Sequence, residues 1–366
     1  MTIDLRGVNT HNKGAQLMMM AIVDRLGEHY RLSVSPNGAD YDVRSRLGLR
    51  QTLVLNQAPR ATAALGNILP GSLRSSFGLT RDSSITGVLD AAGFAYSDSF
   101  SHARSKREAL LAERWAKRKV PVVMLPQAFG PFTDPKQREW SSRLLRSATV
   151  VFARDEVSLN HVRSLDPSIP VTMSPDFTVG LKPVGIPRQI EGEYTALVPN
   201  GKMVSHTQMT EQDYEDLLVR AGKRTSAEGL KSVVVIHEFG DTAIGERIAA
   251  RLKAEVFVDA NPLVLKRVLG DATVAVASRF HAIVSGLAQG TPTLAFGWSH
   301  KYAELLKDFG VPQWQFSAES PIEDSVGDLL TDTSARAVLD ERSAQLLERN
   351  EGMWAEVIST LGPFTR

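Results

Sequence analysis

The sequence predicts an α/β fold of two Rossmann-like domains that face a cleft, and three observations lead to this prediction. The chain of 366 residues has the length of roughly two domains. Short apolar runs typical of buried strands recur along it, and segments with helical periodicity lie between several of these runs. This alternation is typical of parallel sheets covered by helices, in which ligands bind beyond the carboxyl ends of the strands.

The predicted strands are short runs rich in valine, isoleucine and leucine. They lie at residues 32–35, 52–55, 120–126, 148–153, 194–199, 232–237, 255–258, 273–278 and 292–296. Continuous apolar runs of this length are typical of strands whose two faces are both covered. We therefore expect parallel sheets with helices on both sides.

Segments with helical periodicity lie between several of these strands. Apolar residues recur three or four positions apart from Ala15 to Leu26, and every fourth residue is apolar from Ile244 to Leu252. The tail, residues 334–361, also fits a helix. Functional residues are expected in the strand-to-helix loops.

A segment spotted with proline and glycine, residues 180–193, marks the expected domain boundary. It has no periodicity and separates two blocks of similar α/β pattern. The prediction is an N-terminal domain over 1–184 and a C-terminal domain over 190–366. The helix at 334–361 could pack on either domain, including back on the N-terminal one.

Composition and charge exclude several classes of function. Lysine and arginine number 42 against 41 aspartates and glutamates, so the net charge of +1 provides no field for an extended polyanion, and no nucleic-acid partner is expected. The chain has no cysteine, which excludes disulfides, thiolate nucleophiles and cysteine-based metal sites. Histidines and carboxylates show no metal-ligand spacing, so no metal is expected.

Several familiar motifs are absent. The P-loop, the dinucleotide-binding glycine motif, the zincin motif and the nucleophile elbow do not occur. The amino-terminal residues lack the apolar segment of a signal peptide, and no apolar run is long enough to span a bilayer. We expect a cytoplasmic protein, and a peripheral contact with the inner face of the membrane stays open.

The strongest local signal is the segment Ser-Arg-Phe-His-Ala at 278–282, which directly follows a predicted strand and begins a helix. Exposed N–H groups and the positive end of the dipole attract anions to a helix start. Arg279 and His281 add a guanidinium and a titratable imidazole there. The segment predicts a site for a carboxylate or a phosphate.

Further polar residues follow other strands. Lys301 begins a helix after the strand 292–296 and can bind phosphate as a point charge, while Trp298 in the same loop can stack on a sugar. Arg154 ends the strand 148–153, and the neighbouring Asp155 is predicted to cap the next helix. The candidate acids and bases in such loops are Asp98, Asp176 and Glu238.

Two loops of the first half complete the set. Asn12, Lys13 and Gly14 precede the first helix, either as a tight loop whose amides face a ligand or as a capped helix start. Gln127 opens the segment 127–131 after the strand 120–126. This segment should face the same side of the sheet as the loop that carries Asp98.

Taken in order, these segments resemble the polysaccharide pyruvyl transferase family. They are residues 12–15, 127–131, 154–158, 175–176, 279–281 and 301. The most specific part is the arginine and histidine at a helix start, followed some twenty residues later by the lysine. Many relatives carry an aspartate after the first glycine, where this chain has Ala15, so no acidic role is transferred to that position.

The resemblance implies a GT-B-like fold, phosphoenolpyruvate as co-substrate without a cofactor, and a saccharide acceptor that is free or lipid-linked. The usual product is a pyruvate ketal of two sugar hydroxyls, with phosphate released. The C-terminal domain would be the donor side and the N-terminal domain the acceptor side. The residues expected to bind the donor are Arg154, Arg279, His281 and Lys301. Those expected at the acceptor or in its loops are Asn12, Lys13, Gly14, Gln127 and Trp298.

The residues suit this chemistry. Phosphoenolpyruvate carries a carboxylate and a phosphate on three carbons, so its site needs several positive or N–H groups close together, drawn here from both domains. His281 is the expected acid for the methylene carbon, after which one sugar hydroxyl attacks the adjacent carbon and a second displaces phosphate. Asp98, Asp176 or Glu238 would deprotonate these hydroxyls.

Two other functions stay open. A nucleotide-sugar glycosyltransferase of the same architecture would use two acidic residues to bind ribose and sugar hydroxyls, where this sequence offers Arg279, His281 and Lys301. A non-catalytic carbohydrate- or anion-binding protein would keep the positive groups without the acid.

Overall fold

The computed structural model describes residues 1–53, 69–316 and 321–362. Over these residues it contains two parallel sheets with helices between successive strands, which confirms the predicted α/β class. The chain divides into two compact units. The first unit comprises Met1–Thr10, Met18–Phe177 and Arg349–Arg366, and the second comprises His11–Leu17 and Thr178–Glu348.

The first unit is built on a parallel sheet of nine strands within the described part of the chain. They are β1 (Thr2–Arg6), β2 (Arg31–Val34), β3 (Arg50–Thr52), β4 (Leu79–Thr80), β5 (Ile85–Asp90), β6 (Phe94–Tyr96), β7 (Val122–Phe129), β8 (Val150–Ala153) and β9 (Val171–Met173). Their order is β4-β3-β2-β1-β5-β7-β8-β9, with β6 paired to β7. The order reverses at β1, which pairs in parallel with both β2 and β5.

The first half of the chain contributes six α-helices to the described residues, and several of them are capped by a side chain. They are α1 (Lys13–Leu26), α2 (Tyr41–Arg46), α3 (Gly71–Ser76), α4 (His102–Lys117), α5 (Pro135–Arg146) and α6 (Glu156–Leu165). Ser101, Asp134 and Asp155 accept hydrogen bonds from backbone amides of the first turns of α4, α5 and α6. The bond from the Ser158 amide to Asp155, 2.7 Å long, confirms the predicted cap of α6.

The second unit contains a five-stranded parallel sheet in the order β12-β11-β10-β13-β14. Its strands are β10 (Tyr194–Val198), β11 (Lys231–Ile236), β12 (Glu255–Val258), β13 (Val274–Ala277) and β14 (Thr293–Ala295). The helices that follow α6 are α7 (Lys202–His206), α8 (Glu211–Ser226), α9 (Thr242–Leu252), α10 (Pro262–Asp271), α11 (Phe280–Leu287), α12 (His300–Asp308), α13 (Ile322–Thr331) and α14 (Ala335–Leu361). Among the described helices, none combines the length and the apolar character needed to cross a membrane.

The chain passes from the first unit to the second between Phe177 and Thr178, and the contacts of residues on either side explain this position. The Phe177 ring packs edge-on against Trp354 with centroids 5.7 Å apart, which keeps it in the first unit. In the second unit, the buried Lys266 ammonium donates to the carbonyl oxygen of Thr178 at 2.8 Å. The change therefore falls just before the predicted boundary segment 180–193, and α14 contributes residues to both units.

The predicted strands coincide with β2, β7, β8 and β10 to β14 to within a few residues. Of the predicted strand 52–55, Thr52 ends β3, whereas residues 54 and 55 lie outside the described residues. Among the strands that the sequence pattern does not predict is β1, because this short strand carries the buried ionisable residues Asp4 and Arg6. Arg6 binds Glu108 at 3.0 Å, and this pairing offsets part of the cost of burial.

Candidate functional site

The candidate site of the second unit lies at the carboxyl ends of its strands, where the strand order reverses. β10 is parallel to both of its neighbours, β11 and β13. The loops after these three strands therefore leave the same edge of the sheet. Such an edge is the usual ligand site of this architecture.

A buried hydrogen-bond network joins the loops after β10 and β13. The Asn200 side chain donates to the Ser278 carbonyl oxygen at 2.8 Å, and the Tyr214 hydroxyl donates to Ser278 Oγ at 2.6 Å. The Tyr214 oxygen in turn accepts the Asn200 amide at 3.0 Å. Burial raises the pKa of Tyr214, so its hydroxyl stays a donor. This network fixes the backbone just ahead of α11.

Arg279 lies directly before α11, and its guanidinium binds two carboxylates. Its Nε and Nη2 donate to Asp241 at 2.7 and 2.6 Å, and Nη1 donates to Glu238. Asp241, which is 1% exposed, also accepts the Gly201 amide at 2.9 Å. One guanidinium thus connects the loops after β10, β11 and β13. The hydrogen bonds of Arg279 described here are made to other residues of the protein. Its contact with the donor stays a prediction.

His281 occupies the first turn of α11 and packs against the start of α1. A Cβ atom added to Gly14 would lie 2.9 Å from His281 Cγ and closer still to Nδ1. No side chain larger than that of glycine fits between the α1 backbone and the imidazole unless one of them moves. The structure thus brings together His281 and Gly14, which the sequence assigned to separate parts of the site.

Asn12 caps α1 and also contacts a candidate base. Its Oδ1 accepts the Ala15 amide at 3.1 Å, and its Nδ2 donates to Glu238 Oε2 at 3.3 Å. The structure thus shows a capped helix start, and the interpretation in which amides of this loop face a ligand stays a prediction. Glu238 consequently lies between Asn12 and Arg279, with its side chain 27% exposed.

Lys13 is almost completely buried beside the same loops. Its ammonium donates to the Ala260 carbonyl oxygen and lies 5.2 Å from the centroid of the Phe239 ring. Burial lowers the pKa of Lys13, and the nearby Asp259 carboxylate opposes this change. These contacts connect the first turn of α1 to the loops after β11 and β12.

His237 follows β11 and is 3% exposed. Burial, and next the positive charges of His281, Arg279 and Lys13, lower the pKa of His237 to about 3. This imidazole is therefore neutral near neutral pH. It adds no charge to the strand-end loops.

Lys301 lies among aromatic rings in the first turn of α12. Its Nζ is 5.2 Å from the ring centroids of Trp298 and Tyr302 and 5.6 Å from that of Phe280. The Trp298 ring also packs against His206, with centroids 4.2 Å apart. Cation–π attraction fixes an ammonium in such surroundings. The predicted pair of Lys301 and Trp298 therefore forms one cluster after β14.

The predicted residues of the first unit contact one another in pairs. Arg154 Nη1 donates to Asp176 Oδ2 at 3.1 Å, and the two side chains are 4% and 1% exposed. The Asp176 carbonyl oxygen accepts the Asn350 side chain at 3.2 Å. The structure thus joins a predicted donor-binding arginine and a candidate base in one buried ion pair.

Asp98 and Gln127 have contacts that hold their surroundings in place. Asp98 accepts hydrogen bonds from the Thr133 amide and hydroxyl, at 2.7 and 2.6 Å, and from the Asp134 amide at 3.2 Å. Gln127 is fully buried in β7, where its Nε2 lies 3.4 Å from the Asp90 carbonyl oxygen. Their catalytic and acceptor roles stay predictions.

The structure adds three residues to the second-unit site that the sequence analysis did not predict: Asp241, Asn200 and Tyr214. Asp241 lies three residues after Glu238 in the same strand-end loop, and this spacing is the signal that could have found it. Tyr214 gives no local signal, because α8 brings it to the loops through tertiary packing. No group of three side chains suited to holding a metal ion occurs in residues 1–53, 69–316 and 321–362.

Solved structures of an epimerase and of two glycosyltransferases share this architecture. A UDP-GlcNAc 2-epimerase from Neisseria meningitidis bound to UDP-GlcNAc is 12% identical, with 96% of this chain and 100% of that chain covered at a TM-score of 0.58. A glycosyltransferase from Rickettsia africae is 10% identical, with 98% of each chain covered at 0.57. The calicheamicin glycosyltransferase CalG4 is 14% identical, with 99% of this chain and 98% of that chain covered at 0.55. These similarities confirm the GT-B-like fold.

The sequence itself gives the family. A search of curated proteins found no match. The sequence model of the family described as polysaccharide pyruvyl transferase matches residues 12–300. This region contains the Asn12–Gly14 loop, the Arg154 and Asp176 pair, and the helix start with Arg279 and His281. The chain therefore belongs to the polysaccharide pyruvyl transferase family.

Proposed function

We propose that this protein transfers the pyruvyl group of phosphoenolpyruvate to a saccharide, free or lipid-linked, and releases phosphate as a pyruvate ketal forms. The observation that carries the proposal is the position of His281. It lies in the first turn of α11, two residues after Arg279, where the strand order of the second sheet reverses, and its imidazole packs against Gly14. Membership of the family supports the same reaction class.

The donor needs a site for two anionic groups. The first turn of α11 offers N–H groups and the positive end of a helix dipole. Lys301 supplies an ammonium held among aromatic rings. Three of the five N–H bonds of Arg279 are directed at Asp241 and Glu238, so the donor would be bound by the other two. The donor contact of Arg154, in the first unit, stays a prediction.

His281 is the proposed general acid. It gives a proton to the methylene carbon, which becomes a methyl group and leaves the adjacent carbon electrophilic. The oxygen of one sugar hydroxyl bonds to this carbon and loses its proton to a base. The oxygen of a second hydroxyl then forms the other ketal bond and also loses its proton to a base, while phosphate leaves with the electron pair of its bond to carbon.

Glu238 is the proposed base. Both oxygens of Asp98 accept hydrogen bonds from residues 133 and 134, and Asp176 is paired with Arg154 and 1% exposed. Glu238 accepts hydrogen bonds from Asn12 and Arg279 through a single oxygen, Oε2. It is 27% exposed and belongs to the same group of strand-end loops as His281. Of the three candidate carboxylates, it is the one that an entering hydroxyl can reach with the least rearrangement.

The test is an assay of the protein with phosphoenolpyruvate and a panel of glycosides. Phosphate release coupled to a gain of mass in the glycoside is the expected result. His281→Ala should lower kcat by a factor of about 10² to 10⁴, and Glu238→Gln should also lower it. His29→Ala, at an exposed histidine of the first unit, is the control and should keep full activity.

Other outcomes would favour the other functions. Turnover of a nucleotide sugar, with none of phosphoenolpyruvate, would indicate a glycosyltransferase. Saccharide binding without turnover of either donor would indicate a binding protein. Unchanged kcat in His281→Ala would remove this imidazole from the mechanism.

A further inference from the structure

A cavity lined by arginines lies in the first unit, at the amino-terminal ends of its strands. Its volume is about 240 Å³. Its lining includes residues at the start of β1, β2, β3 and β4, and four of the lining side chains are Arg31, Arg50, Arg74 and Arg81. Guanidinium groups bind phosphates and carboxylates well, so four arginines at one cavity favour an anionic ligand.

These positive charges have little compensation from the protein. In the described part of the chain, no carboxylate forms an ion pair with any of the four guanidinium groups. The acid adjacent to Arg81, Asp82, is bound by Arg114 and by Arg118, the latter at 3.1 Å. Loss of hydration, and next repulsion from Arg81, lowers the pKa of Arg74. Because no carboxylate of the described residues pairs with these four arginines, the cluster keeps its net positive charge.

Exposed apolar side chains lie beside the cavity. Leu73 and Phe77, four residues apart at α3, are 46% and 60% exposed, and Arg74 of the cavity lies between them in sequence. Tyr41 is 67% exposed. The Arg44 guanidinium lies 5.3 Å from the Tyr41 ring and 3.5 Å from the Phe77 carbonyl oxygen, which makes these residues one surface. We call this surface, with the four arginines, the basic apolar face.

The basic apolar face is distinct from the candidate catalytic residues. Asp98, Arg154 and Asp176 follow the carboxyl ends of strands, whereas the cavity opens where strands begin. A strand of five or six residues separates these two edges by about 15–20 Å. Donor and acceptor chemistry at the carboxyl edge therefore gives no reason for this combination of charge and exposed apolar surface.

We propose that the basic apolar face binds the surface of an anionic membrane. Lipid phosphates would occupy the arginine cavity, and Leu73 and Phe77 would enter the boundary between headgroups and acyl chains. Positive charge next to exposed apolar side chains is the combination that such a surface recognises. The proposal does not depend on the reaction catalysed.

The test is co-sedimentation of the full chain with vesicles. We expect binding to vesicles of phosphatidylcholine with phosphatidylglycerol, no binding to phosphatidylcholine alone, and a decrease as salt is added. The double variants Leu73→Ser with Phe77→Ser and Arg74→Gln with Arg81→Gln should each lower the partition coefficient about tenfold. Thermal unfolding of each variant verifies that it is folded.

The matched control combines Leu110→Ser with Arg163→Gln, which alters an exposed leucine and an exposed arginine elsewhere in the first unit. It should bind as the unaltered protein does. Equal loss in this control, or no loss in the two test variants, would overturn the proposal. Stabilisation by inorganic phosphate without vesicle binding would also overturn it, because the cavity would then be a site for a free anion.

Discussion

At the scale of single residues, Gly14 illustrates how a backbone position controls a side chain far away in sequence. The α1 backbone passes so close to His281 that a Cβ atom at residue 14 would overlap the imidazole. The contact restricts where the imidazole can lie. In the proposed reaction its orientation would matter, because an acid can deliver a proton to carbon only along a narrow direction.

Gly14→Ala is therefore expected to displace the imidazole and lower kcat by a factor of about 10². The assay of phosphate release measures this change, with KM determined in parallel. Gly352→Ala is the control, because a Cβ atom there meets no neighbour within 4 Å. Normal kcat in Gly14→Ala would show that the imidazole position is not critical.

Asp4 is a buried residue whose protonation should affect stability. Burial raises the pKa of Asp4 to about 7, with Arg6 opposing the shift. The folded protein therefore keeps a proton that the unfolded chain releases above its ordinary pKa of 3.8. Its contribution to stability is complete below this value and is lost as the pH rises to about 7.

Asp4→Asn, which mimics the protonated acid, should become more stable relative to the unaltered protein as the pH rises through this range. The difference in free energy of unfolding should change by up to about 1.4 kcal/mol per pH unit. Urea denaturation between pH 4.5 and pH 8 measures it. A difference that does not vary with pH would contradict the raised pKa.

At the scale of elements, the pair of Arg279 and Asp241 holds three strand-end loops together. Asp241→Asn removes one of the two carboxylates that bind a guanidinium only 12% exposed, and Glu238 remains. Because the loss of one buried partner leaves part of the guanidinium charge without compensation, we expect a loss of up to about 3 kcal/mol. Faster hydrogen exchange of the amides in β10 and β13 would measure this loss of stability. Glu246→Gln, on the exposed side of α9, is the control. Equal protection in both variants would show that the pair is dispensable.

Most elements of this fold can be predicted from the sequence, because buried parallel strands such as β11 and β13 are continuous apolar runs. β1 cannot be predicted in this way, since Asp4 and Arg6 interrupt its apolar pattern and bind Ser33 and Glu108, which are distant in sequence. For the candidate site, the order of strands and loops gives Arg279, His281 and Lys301. The hydrogen bonds from Arg279 to Asp241 and Glu238 depend on tertiary contacts, which no local sequence pattern predicts.

At the scale of the whole molecule, residues distant in sequence complete each unit. Trp354 of α14 is 5% exposed and packs against Phe177 in the first unit. Trp354→Ala should destabilise that unit by about 3–5 kcal/mol, since a large cavity would remain. Hydrogen exchange should accelerate in β7 and β8 and stay unchanged in β10 and β11. Glu356→Ala, at an exposed position of the same helix, is the control, and faster exchange confined to the second unit would contradict this assignment.

The division of the chain also affects how hybrids between relatives should be made. The second unit takes His11–Leu17 from near the amino terminus, and the first takes Arg349–Arg366 from the end. A hybrid with a single crossover near residue 177 would combine each unit with a core segment from the other parent. The second unit would receive His11–Leu17, and the first unit Arg349–Arg366, from the wrong relative. A hybrid that retains both cores needs joints after residues 10, 17, 177 and 348, two of them inside the helices α1 and α14.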